Sequence, residues 1–463
     1  MIIQSFINGA FQKSFSLFTK KNPFTRTDLH QVEMADLMQA VQALQGAQKT
    51  YLEWKSSSLE DRISLLTKIK DGTEKNKIQF AKLEALDQGL PLHFVESHGV
   101  QAAIDCFTFA IEQLKNFQPS NAEFYSPNGV TVIIASWNLS LRVICERLAP
   151  ALAAGNSVVI KVSSASAVTA HILGTVLTEA QCPLGLVQVV VSNHQDVKDI
   201  LIAHPATKAV SFVGSLKNAA NVIQKVTAQA GSQFKKMQIA SGSKNTAVAL
   251  SAVTDTPFEH VMQSFLTGQG QLAWNSNRLF ILEKYEKEWT EKITDYLKAL
   301  CPSEGIEDGS LWTPCLKADS FARFGEIENL AIQDKAHLIQ VTDTLPAQQK
   351  QSFLKPAFTK DMSNCSTLQQ DQVTAPLFIL STVKYPFDIA KYSNVSYYGL
   401  SAHIWGDETK ITKVAEQLDV GQIFVNKWSA ECHKVNLGVK QSGFGLQDYQ
   451  VFGDFFSNAK NLT

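Results

Sequence analysis

The sequence predicts an α/β protein whose two parallel sheets follow a helical N-terminal layer. Residues 35–115 carry apolar side chains at helical spacing, with charged residues between them. From residue 130 onward, short β-branched runs alternate with amphipathic segments, and a second alternation of strand and helix patterns starts near residue 278. Apolar strands that alternate with helices are typical of doubly wound parallel sheets, a frame that commonly binds nucleotides.

Each predicted element rests on a local pattern. In the helical layer, the residues of one face recur at helical spacing: Leu59, Ile63, Leu66 and Ile69. Short β-branched runs predict the strands of the first sheet: 130–134, 158–160, 187–191 and 210–213. The segment from Ala165 to Ala180 is predicted to be a helix between two of them. The second sheet is predicted from strands at 278–281 and 376–380, with a charged helix from Tyr285 to Leu300.

Composition narrows the class of protein. A chain of 463 residues is long enough for more than one domain and a large core. The 42 Lys and Arg residues nearly balance the 43 Asp and Glu residues, which argues against a nucleic-acid partner. The first residues lack a basic region and a long apolar run, so neither a signal peptide nor a membrane span is predicted.

The cysteines indicate the redox environment. Seven of them are scattered along the chain, and no two form a CxxC pair. This pattern suits free thiols in a reducing compartment rather than a disulfide framework or a zinc site. We therefore expect a cytoplasmic protein without a metal site.

The segment from Gly268 to Ala273 matches the loose Gly-x-Gly-x-x-Ala form of the dinucleotide-binding fingerprint. That fingerprint requires a strand before it and a helix after it. Here Val261, Phe265 and Leu266 precede the segment at helical spacing, and a predicted strand follows it. The context therefore argues against a phosphate-binding turn at this place.

Short motifs occur in one order over nearly the whole chain. They are Phe6-Ile7-Asn8-Gly9, Asn22-Pro23, Pro127-Asn128-Gly129-Val130, Ser136-Trp137-Asn138, Ala149-Pro150-Ala151-Leu152-Ala153-Ala154-Gly155-Asn156, Gly268-Gln269-Gly270-Gln271, Arg278-Leu279-Phe280, Tyr398-Gly399-Leu400 and Lys440-x-Ser442-Gly443-x-Gly445. In this order the motifs resemble those of the NAD(P)-dependent aldehyde dehydrogenase superfamily. So many ordered matches do not arise by chance.

The resemblance implies the aldehyde dehydrogenase fold, with two Rossmann-like parallel-sheet domains and a β-hairpin oligomerisation arm. Residues 1–115 and 129–240 would form a dinucleotide-binding-type domain, and residues 241–445 a catalytic-type domain. Residues 116–128 and 446–463 would form the arm. Members of the family assemble by extending sheets across subunits, so we expect a homo-oligomer, either a dimer or a tetramer.

Two positions that carry the chemistry of the family are replaced. The resemblance places Ala273 where the family has the cysteine whose thiolate attacks the aldehyde before hydride leaves to NAD(P)⁺. Gln238 stands where a glutamate activates water for hydrolysis of the thioester. A methyl group cannot attack a carbonyl, and an amide cannot accept a proton at useful pH. Because both groups are replaced, we favour a natural inactive protein over an engineered cysteine-to-alanine variant.

Asn138 is the catalytic-type residue that the resemblance retains. Its side-chain amide would donate a hydrogen bond to the developing oxyanion, and one such donor is worth roughly 3 kcal/mol. A second interpretation is that Asn138 caps the helix predicted to begin near Leu139. Trp274 also has two interpretations, since its ring would either occupy the space of an aldehyde or pack in the core.

The resemblance assigns cofactor contacts to residues at strand ends and turns: Trp137, Lys161, Ser164, Gly214, Ser215 and Gln372. Lys161 would reach the adenosine ribose, and Gly214-Ser215 would meet the phosphates at a helix N-terminus. Ser164 replaces a glutamate of NAD-preferring members, so the 2′-phosphate of NADP is not repelled. Gln372 replaces the glutamate that holds the nicotinamide ribose, and Ala219 adds a methyl group to the phosphate turn. We expect these changes to weaken the binding of NAD or NADP.

The sequence therefore favours a catalytically inactive member of the family that acts through binding, assembly or regulation, alone or with an active relative. The alternative is an NAD(P)-dependent oxidoreductase of aldehydes with residual or altered activity. In that case Cys432, which lies beside His433 near the substrate mouth that the resemblance implies, would be the substitute nucleophile. Glu431 would be a substitute base.

Overall fold

A computed structural model shows two large sheets with helices on their faces. It describes residues 1–117, 123–228, 234–316, 319–333, 337–340, 345, 350, 352–360, 362–363, 365–428, 438–445, 451 and 455–461. The strands are β1 Ile2–Ile3, β2 Ser5–Ile7, β3 Ala10–Gln12, β4 Ser16–Lys21, β5 Asp28–Met34, β6 Glu123–Pro127, β7 Val130–Ile134, β8 Ser157–Val162, β9 Val187–Val191, β10 Thr207–Gly214, β11 Lys236–Ser241, β12 Asn245–Ala249, β13 Ser276–Leu282, β14 His337–Gln340, β15 Ala357–Lys360, β16 Leu377–Val383, β17 Tyr398–Gly399, β18 Ser401–Trp405, β19 Gln422–Val425, β20 Val439–Lys440, β21 Gly443–Phe444 and β22 Ser457–Asn461.

Helices form the layer before the first sheet and cover both sheets. The α-helices are α1 Leu37–Trp54, α2 Leu59–Lys75, α3 Lys77–Gln88, α4 Leu92–Phe94, α5 Ala102–Asn116, α6 Ser140–Ala153, α7 Val168–Glu179, α8 Gln195–Ala203, α9 Leu216–Thr227, α10 Phe258–Leu266, α11 Glu286–Ala299, α12 Asp319–Gln333, α13 Thr367–Gln370, α14 Asp388–Ser393 and α15 Glu408–Ala415. A π-helical turn at Val95–Gln101 joins α4 to α5. Within the described ranges, no helix combines the length and apolar character needed to cross a bilayer.

The first sheet has eight strands in the order β21-β11-β10-β7-β8-β9-β2-β3. Its five central strands pair in parallel, while β2 and β3 at one edge and β21 at the other pair antiparallel. All residues of β7 are buried, as expected for a strand that is covered by helices on both faces. The chain order reverses between β7 and β10, and a reversal of this kind leaves a crevice at the carboxyl ends of the strands.

The second sheet has seven strands in the order β14-β15-β16-β13-β12-β18-β19. All neighbouring pairs are parallel except β14 with β15. Aromatic side chains dominate the core on one of its faces, including the fully buried Trp289, Phe358 and Phe378. Both sheets are therefore mainly parallel, which confirms the predicted α/β class.

The predicted elements are confirmed with small changes in length. β7 and β9 have the predicted bounds, and β8, β10 and β13 extend beyond them at both ends. β16 begins one residue later and ends three residues later than predicted. The helix predicted from Ala165 begins with a 3₁₀ turn at Ser164–Ser166 and continues as α7. The charged helix predicted from Tyr285 is α11.

The antiparallel pair of β6 and β22 lies within the predicted arm. Its register begins with Ser457 opposite Pro127. Phe455 and Phe456, just before β22, are buried against the helical layer and the first sheet. Residues 118–122 of the predicted hairpin lie outside the described residues.

The predicted domain boundaries stay a prediction. The sheets show which segments of the chain build each of the two lobes, where a lobe is one large sheet with the helices that cover it. The strands from β7 to β11 belong to the first sheet, and those from β12 to β16 belong to the second. β21 lies in the segment assigned to the second domain, yet it pairs with β11 of the first sheet. The two lobes are therefore joined near the end of the predicted second domain.

Candidate active site

A pocket of about 740 Å³ opens at the carboxyl ends of the parallel strands of the first sheet. One wall comes from the ends of these strands and the segments that follow them: 134–138, 163–165, 193–195, 212–215 and 240–242. The loop before β13 faces this wall with Gln271, Ala273 and Trp274, and Gln372 lies on the same side. The pocket thus brings together all the predicted site residues except Gln238.

Asn138 lies at the turn between β7 and α6. Its Nδ2 donates to the main-chain carbonyl of Gln271 on the opposite wall. Its Oδ1 is buried and has no hydrogen-bond partner in the described part of the chain. The N-cap of α6 is the next residue, Leu139, and no side-chain cap bond is made there. The predicted capping role of Asn138 is therefore wrong, because the residue is one position too early and its amide is used across the pocket.

The N-terminus of α6 is held instead by side chains of α3. The Leu139 amide donates to Gln88 Oε1 at 2.7 Å, and the Leu141 amide donates to Glu84 Oε1 at 3.0 Å. These bonds satisfy N–H groups that have no partner within the helix. They also hold Leu139 in the left-handed region, with φ 41° and ψ 51°. The position of Asn138 on the pocket wall thus depends on two buried side chains of another helix.

We expect Glu84 to make the stability of the fold depend on pH. Burial raises the pKa of Glu84 from 4.5 to about 7, so the folded protein holds this proton more tightly than the unfolded chain does. The resulting stabilisation is complete below pH 4.5 and is lost as the pH rises through about 7. The free energy of unfolding of the original protein should therefore fall as the pH rises from 4.5 to about 7. In Glu84→Gln this fall should be smaller by on the order of 2 kcal/mol.

Urea unfolding at a series of pH values measures this effect. Glu60→Gln, at an exposed position of α2, is the matched control and should leave the pH dependence unchanged. Part of the slope should remain in Glu84→Gln, because burial also raises the pKa of Asp87, to about 6. An unaltered slope in Glu84→Gln would contradict the assignment.

The loop that carries Ala273 has a constrained backbone. Gly268, Gln269 and Gly270 have φ values of 60°, 58° and 65°. This turn leaves Ala273 exposed on the pocket wall, with its carbonyl accepting a bond from Asn245 Nδ2 at 2.9 Å. α10 precedes the loop and β13 follows it, so the strand-to-helix context of the dinucleotide fingerprint is absent, as predicted.

Trp274 belongs to both the pocket wall and the core. Its side chain is buried, and the Arg142 guanidinium carbon lies 4.8 Å from the centroid of its ring. Its Nε1 is buried without a hydrogen-bond partner among the described residues. The packing interpretation of Trp274 agrees with this geometry, and the ring also limits the space beside Ala273.

Gln238 lies on β11 but does not line the pocket. Its Oε1 accepts from Ser211 Oγ at 2.8 Å, and Ser211 Oγ accepts from Arg147 Nε at 3.1 Å. The side chain is 3% exposed. At the predicted base position the structure therefore has a neutral, buried amide that is bonded to the neighbouring strand.

Three charged residues of α6 were not predicted to belong to the site. Arg142, Glu146 and Arg147 are buried, and Glu146 and Arg147 line the pocket. All residues of α6 are buried, so charged side chains in this otherwise largely apolar helix were a usable signal. Only the tertiary structure shows that Glu146 and Arg147 face the pocket.

The predicted cofactor residues all line the pocket, and most of them lie at or just after the carboxyl ends of strands of the first sheet. Lys161 is near the end of β8, and Ser164 begins the 3₁₀ turn that follows this strand. Ser215 is the N-cap of α9, where its side chain accepts from the Asn218 amide at 3.4 Å. Ala219, a residue of α9, packs in the core and does not line the pocket. These strand ends therefore offer a helix N-terminus and a lysine to an anionic ligand.

The charges on the wall are mainly positive. Lys161, Lys198 and Arg147 line it, and Glu146 is the one carboxylate among its described residues. Burial lowers the pKa of Lys198. Glu146 is paired with arginine, so the wall as a whole favours anions.

No thiol lies on the described wall of the pocket. Cys315, near the Ala273 loop, is fully buried, and burial raises its pKa to about 12. Cys432, His433 and Glu431 lie outside the described residues.

Among the residues that the structure does describe, no group of His, Cys, Asp and Glu side chains is arranged to hold a metal ion.

A family comparison identifies the chain. The sequence model of the aldehyde dehydrogenase family matches residues 11–462. The chain belongs to the aldehyde dehydrogenase family. Human 2-aminomuconic semialdehyde dehydrogenase is 25% identical to it, with 100% of this chain and 98% of the relative covered. The 2-hydroxymuconic semialdehyde dehydrogenase of Pseudomonas sp. (strain CF600) is 26% identical, with 99% of each chain covered.

Solved structures of aldehyde dehydrogenases share the fold. Salicylaldehyde dehydrogenase from Pseudomonas putida G7, complexed with salicylaldehyde, aligns with a TM-score of 0.90 at 22% identity and covers 100% of this chain and 98% of its own. A cysteine-to-alanine mutant of indole-3-acetaldehyde dehydrogenase from P. syringae, in complex with NAD⁺ and IAA, aligns with a TM-score of 0.89 at 21% identity and covers 99% of this chain and 96% of its own. The predicted aldehyde dehydrogenase fold is confirmed. The expectation of weakened dinucleotide binding finds no support in these comparisons.

Proposed function

We propose that this aldehyde dehydrogenase homologue binds a nicotinamide dinucleotide and a small organic ligand, and does not oxidise aldehydes through a covalent intermediate. The observation that carries the proposal is the methyl group of Ala273, which is exposed on the pocket wall. The sequence resemblance assigns this position to the family's nucleophile. Its role is then binding, assembly or regulation, alone or with an active relative.

The residue at the predicted position of the general base, Gln238, supports the same conclusion. Water activation requires a group that accepts a proton near neutral pH, and Gln238 is an amide. Its Oε1 already accepts a hydrogen bond from Ser211, and Gln238 is not among the residues that line the pocket. Asn138 retains an amide on the wall, which would hold a carbonyl oxygen of the ligand but cannot supply a nucleophile.

The dinucleotide is proposed to lie along the strand ends. Ser215 and Gly214 would meet its phosphates, Lys161 and Ser164 its adenosine ribose, and Trp137 and Gln372 the rest of the molecule. Because no described carboxylate lines the Lys161 end, a 2′-phosphate is not repelled, and NADP should bind at least as well as NAD. The cysteine-to-alanine neighbour in complex with NAD⁺ supports binding without a nucleophile.

The full chain should show no aldehyde-dependent formation of NADH or NADPH above background. The assay uses short aliphatic, aromatic and semialdehyde substrates with either coenzyme. In parallel, NADP⁺ at about a hundred times its dissociation constant should stabilise the fold by about 2.7 kcal/mol, measured as a shift of the unfolding transition. Turnover would refute inactivity, and the absence of a shift with both coenzymes would refute dinucleotide binding.

The second candidate function is an altered NAD(P)-dependent aldehyde oxidoreductase. It is favoured by the accessible pocket and by the retained Asn138 on its wall. Its nucleophile would be Cys432, so any turnover should disappear in Cys432→Ser. Activity that survives this change would exclude Cys432 as the nucleophile.

We further propose that the protein is a cytoplasmic homo-oligomer. The paired strands β6 and β22 form a separate two-stranded sheet within the predicted arm. A two-stranded sheet is marginally stable alone, and its edges are suited to pairing with another subunit. A dimer or tetramer by sedimentation would support this assignment, and a monomer would refute it.

A further inference from the structure

Lys198 is a buried lysine of the pocket wall. It lies in the first turn of α8 and is 9% exposed. Its amino group makes no hydrogen bond or ion pair with a described residue. Lysines this deeply buried are ordinarily paired, because an ammonium group that leaves water needs an anion or several acceptors. The described part of the protein does not supply such a group, so the amino group is left for a ligand.

The carboxylate next to Lys198 in the sequence is used by other residues. Asp199 Oδ2 lies 2.8 Å from Lys225 Nζ, and Asp199 Oδ1 accepts from Gln195 Nε2 at 2.7 Å. Burial lowers the pKa of Lys198, and Lys225 lowers it further, whereas Asp199 raises it. Since the net effect is a lowered pKa, an anion bound beside Lys198 would favour its charged form.

The strand order places Lys198 beyond the residues proposed to hold the phosphates and the ribose. Ser215 follows β10 and Ser164 follows β8, whereas α8 follows β9. In the sheet these strands have the order β10-β7-β8-β9. Because the carboxyl ends of parallel strands lie at one edge of a sheet, the three groups follow one another along the crevice. A dinucleotide that extends from Ser215 to Ser164 would therefore direct a substituent of its ribose towards Lys198.

The side chains around this position suit a phosphate group. Lys161 and Ser164 line the same wall as Lys198. The one carboxylate among the described lining residues is Glu146, which belongs to α6 and accepts from Arg147. An ammonium group is a compact charge with three donors, and lysine commonly binds phosphate in this way. The phosphate on the 2′-oxygen of the adenosine ribose is the group that distinguishes NADP from NAD.

We propose that Lys198 selects NADP over NAD by binding this 2′-phosphate. The inference rests on the proposed function, because it names the residue that chooses between the two coenzymes of the proposed site. The serine at position 164 only removes a repulsion, whereas Lys198 adds an attraction. NADP should therefore bind more tightly than NAD instead of equally well.

Isothermal titration of the full chain with NADP⁺ and NAD⁺ tests the proposal. NADP⁺ should bind with about tenfold or higher affinity, as expected for a charged hydrogen bond. In Lys198→Met the affinity for NADP⁺ should fall about tenfold or more, while that for NAD⁺ should change by less than about twofold. Lys198→Arg keeps the charge and should retain a preference for NADP⁺. Lys217→Met removes one positive charge at an exposed position of α9 and, as the matched control, should leave the ratio unchanged.

A lysine with a purely structural role would give a different result. Methionine fills the space of the lysine stem, so the thermal midpoint of Lys198→Met without coenzyme should match that of the original protein. Equal weakening of NADP⁺ and NAD⁺ would overturn the proposal, because Lys198 would then act on a group that both coenzymes carry or on the fold. An unchanged ratio of the two affinities would also overturn it.

These outcomes are distinguishable from a failure of the proposed function. If neither coenzyme binds the original protein, the proposed dinucleotide site is refuted and the role of Lys198 is refuted with it. If NADP⁺ binds and the ratio does not respond to Lys198→Met, only the role of Lys198 is overturned.

Discussion

Ala273→Cys should capture aldehydes covalently and release them slowly. The substituted residue would place a thiol on the exposed pocket wall, opposite strand-end segments that include Asn138. By the mechanism that the family resemblance implies, the thiolate attacks the carbonyl and hydride leaves to NADP⁺. Hydrolysis would then be slow, because Gln238 cannot activate water. Intact-mass measurement after incubation with benzaldehyde and NADP⁺ should show an acyl adduct on most of the protein.

The matched control is Ala273→Ser, whose hydroxyl group is a much weaker nucleophile than a thiolate and should give no adduct. The original chain should also remain unmodified. An unmodified Ala273→Cys protein that still binds NADP⁺ would show that the pocket cannot present an aldehyde to this position.

The double variant Ala273→Cys with Gln238→Glu should add turnover. A positioned general base contributes roughly 10²- to 10⁴-fold, so steady NADPH formation should exceed that of the single variant by about 10²-fold. A neutral aldehyde is used because a glutamate at position 238 would disfavour a carboxylate near Arg147. If turnover stayed at the level of the single variant, the replaced base could not be the cause of slow release.

Gly270→Ala should have the largest effect on stability. A Cβ atom built on Gly270 would lie 2.3 Å from the carbonyl oxygen of Ala375, and its φ of 65° is unfavourable for any side chain. The contact is with main chain, so it cannot be relieved by a rotamer change. We expect a loss of roughly 3 kcal/mol or more in the free energy of unfolding.

Denaturant unfolding of Gly270→Ala and Gly309→Ala checks this expectation. Gly309 is the matched control, since a Cβ atom there would meet nothing within 4 Å. The Gly270 variant should also lose order around Ala273, which follows in the same loop. Equal stability of the two variants would contradict the described approach of the loop to Ala375.

Local patterns predicted most of the fold because the central strands are buried on both faces. Runs such as Val130–Ile134 are continuously β-branched and almost entirely apolar, and the structure makes each of them a parallel strand. The edge strand Gly443–Phe444 was not predicted as a strand. It is two residues long, and its partner Ile239–Ala240 is distant in sequence, so no local pattern marks the pairing.

The site was partly predictable for a similar reason. Asn138 follows β7 and Lys161 lies near the end of β8, and the ends of parallel strands meet at one edge of a sheet. The direction of the Gln238 side chain depends on Ser211 of the neighbouring strand, so it could not be read from the sequence. The contribution of Arg147 was missed because its bond to Ser211 joins a helix to a strand that is distant in sequence.

The pairing of β21 with β11 has a consequence for biosynthesis. The outer hydrogen-bonding edge of Ile239 and Ala240 is covered by Phe444 and Gly443, which emerge from the ribosome only after about two hundred more residues have been made. During that interval the nascent first lobe has a bare strand edge, which is a template for association with other chains. A fragment cut between the two lobes would retain this edge permanently and should aggregate when expressed alone.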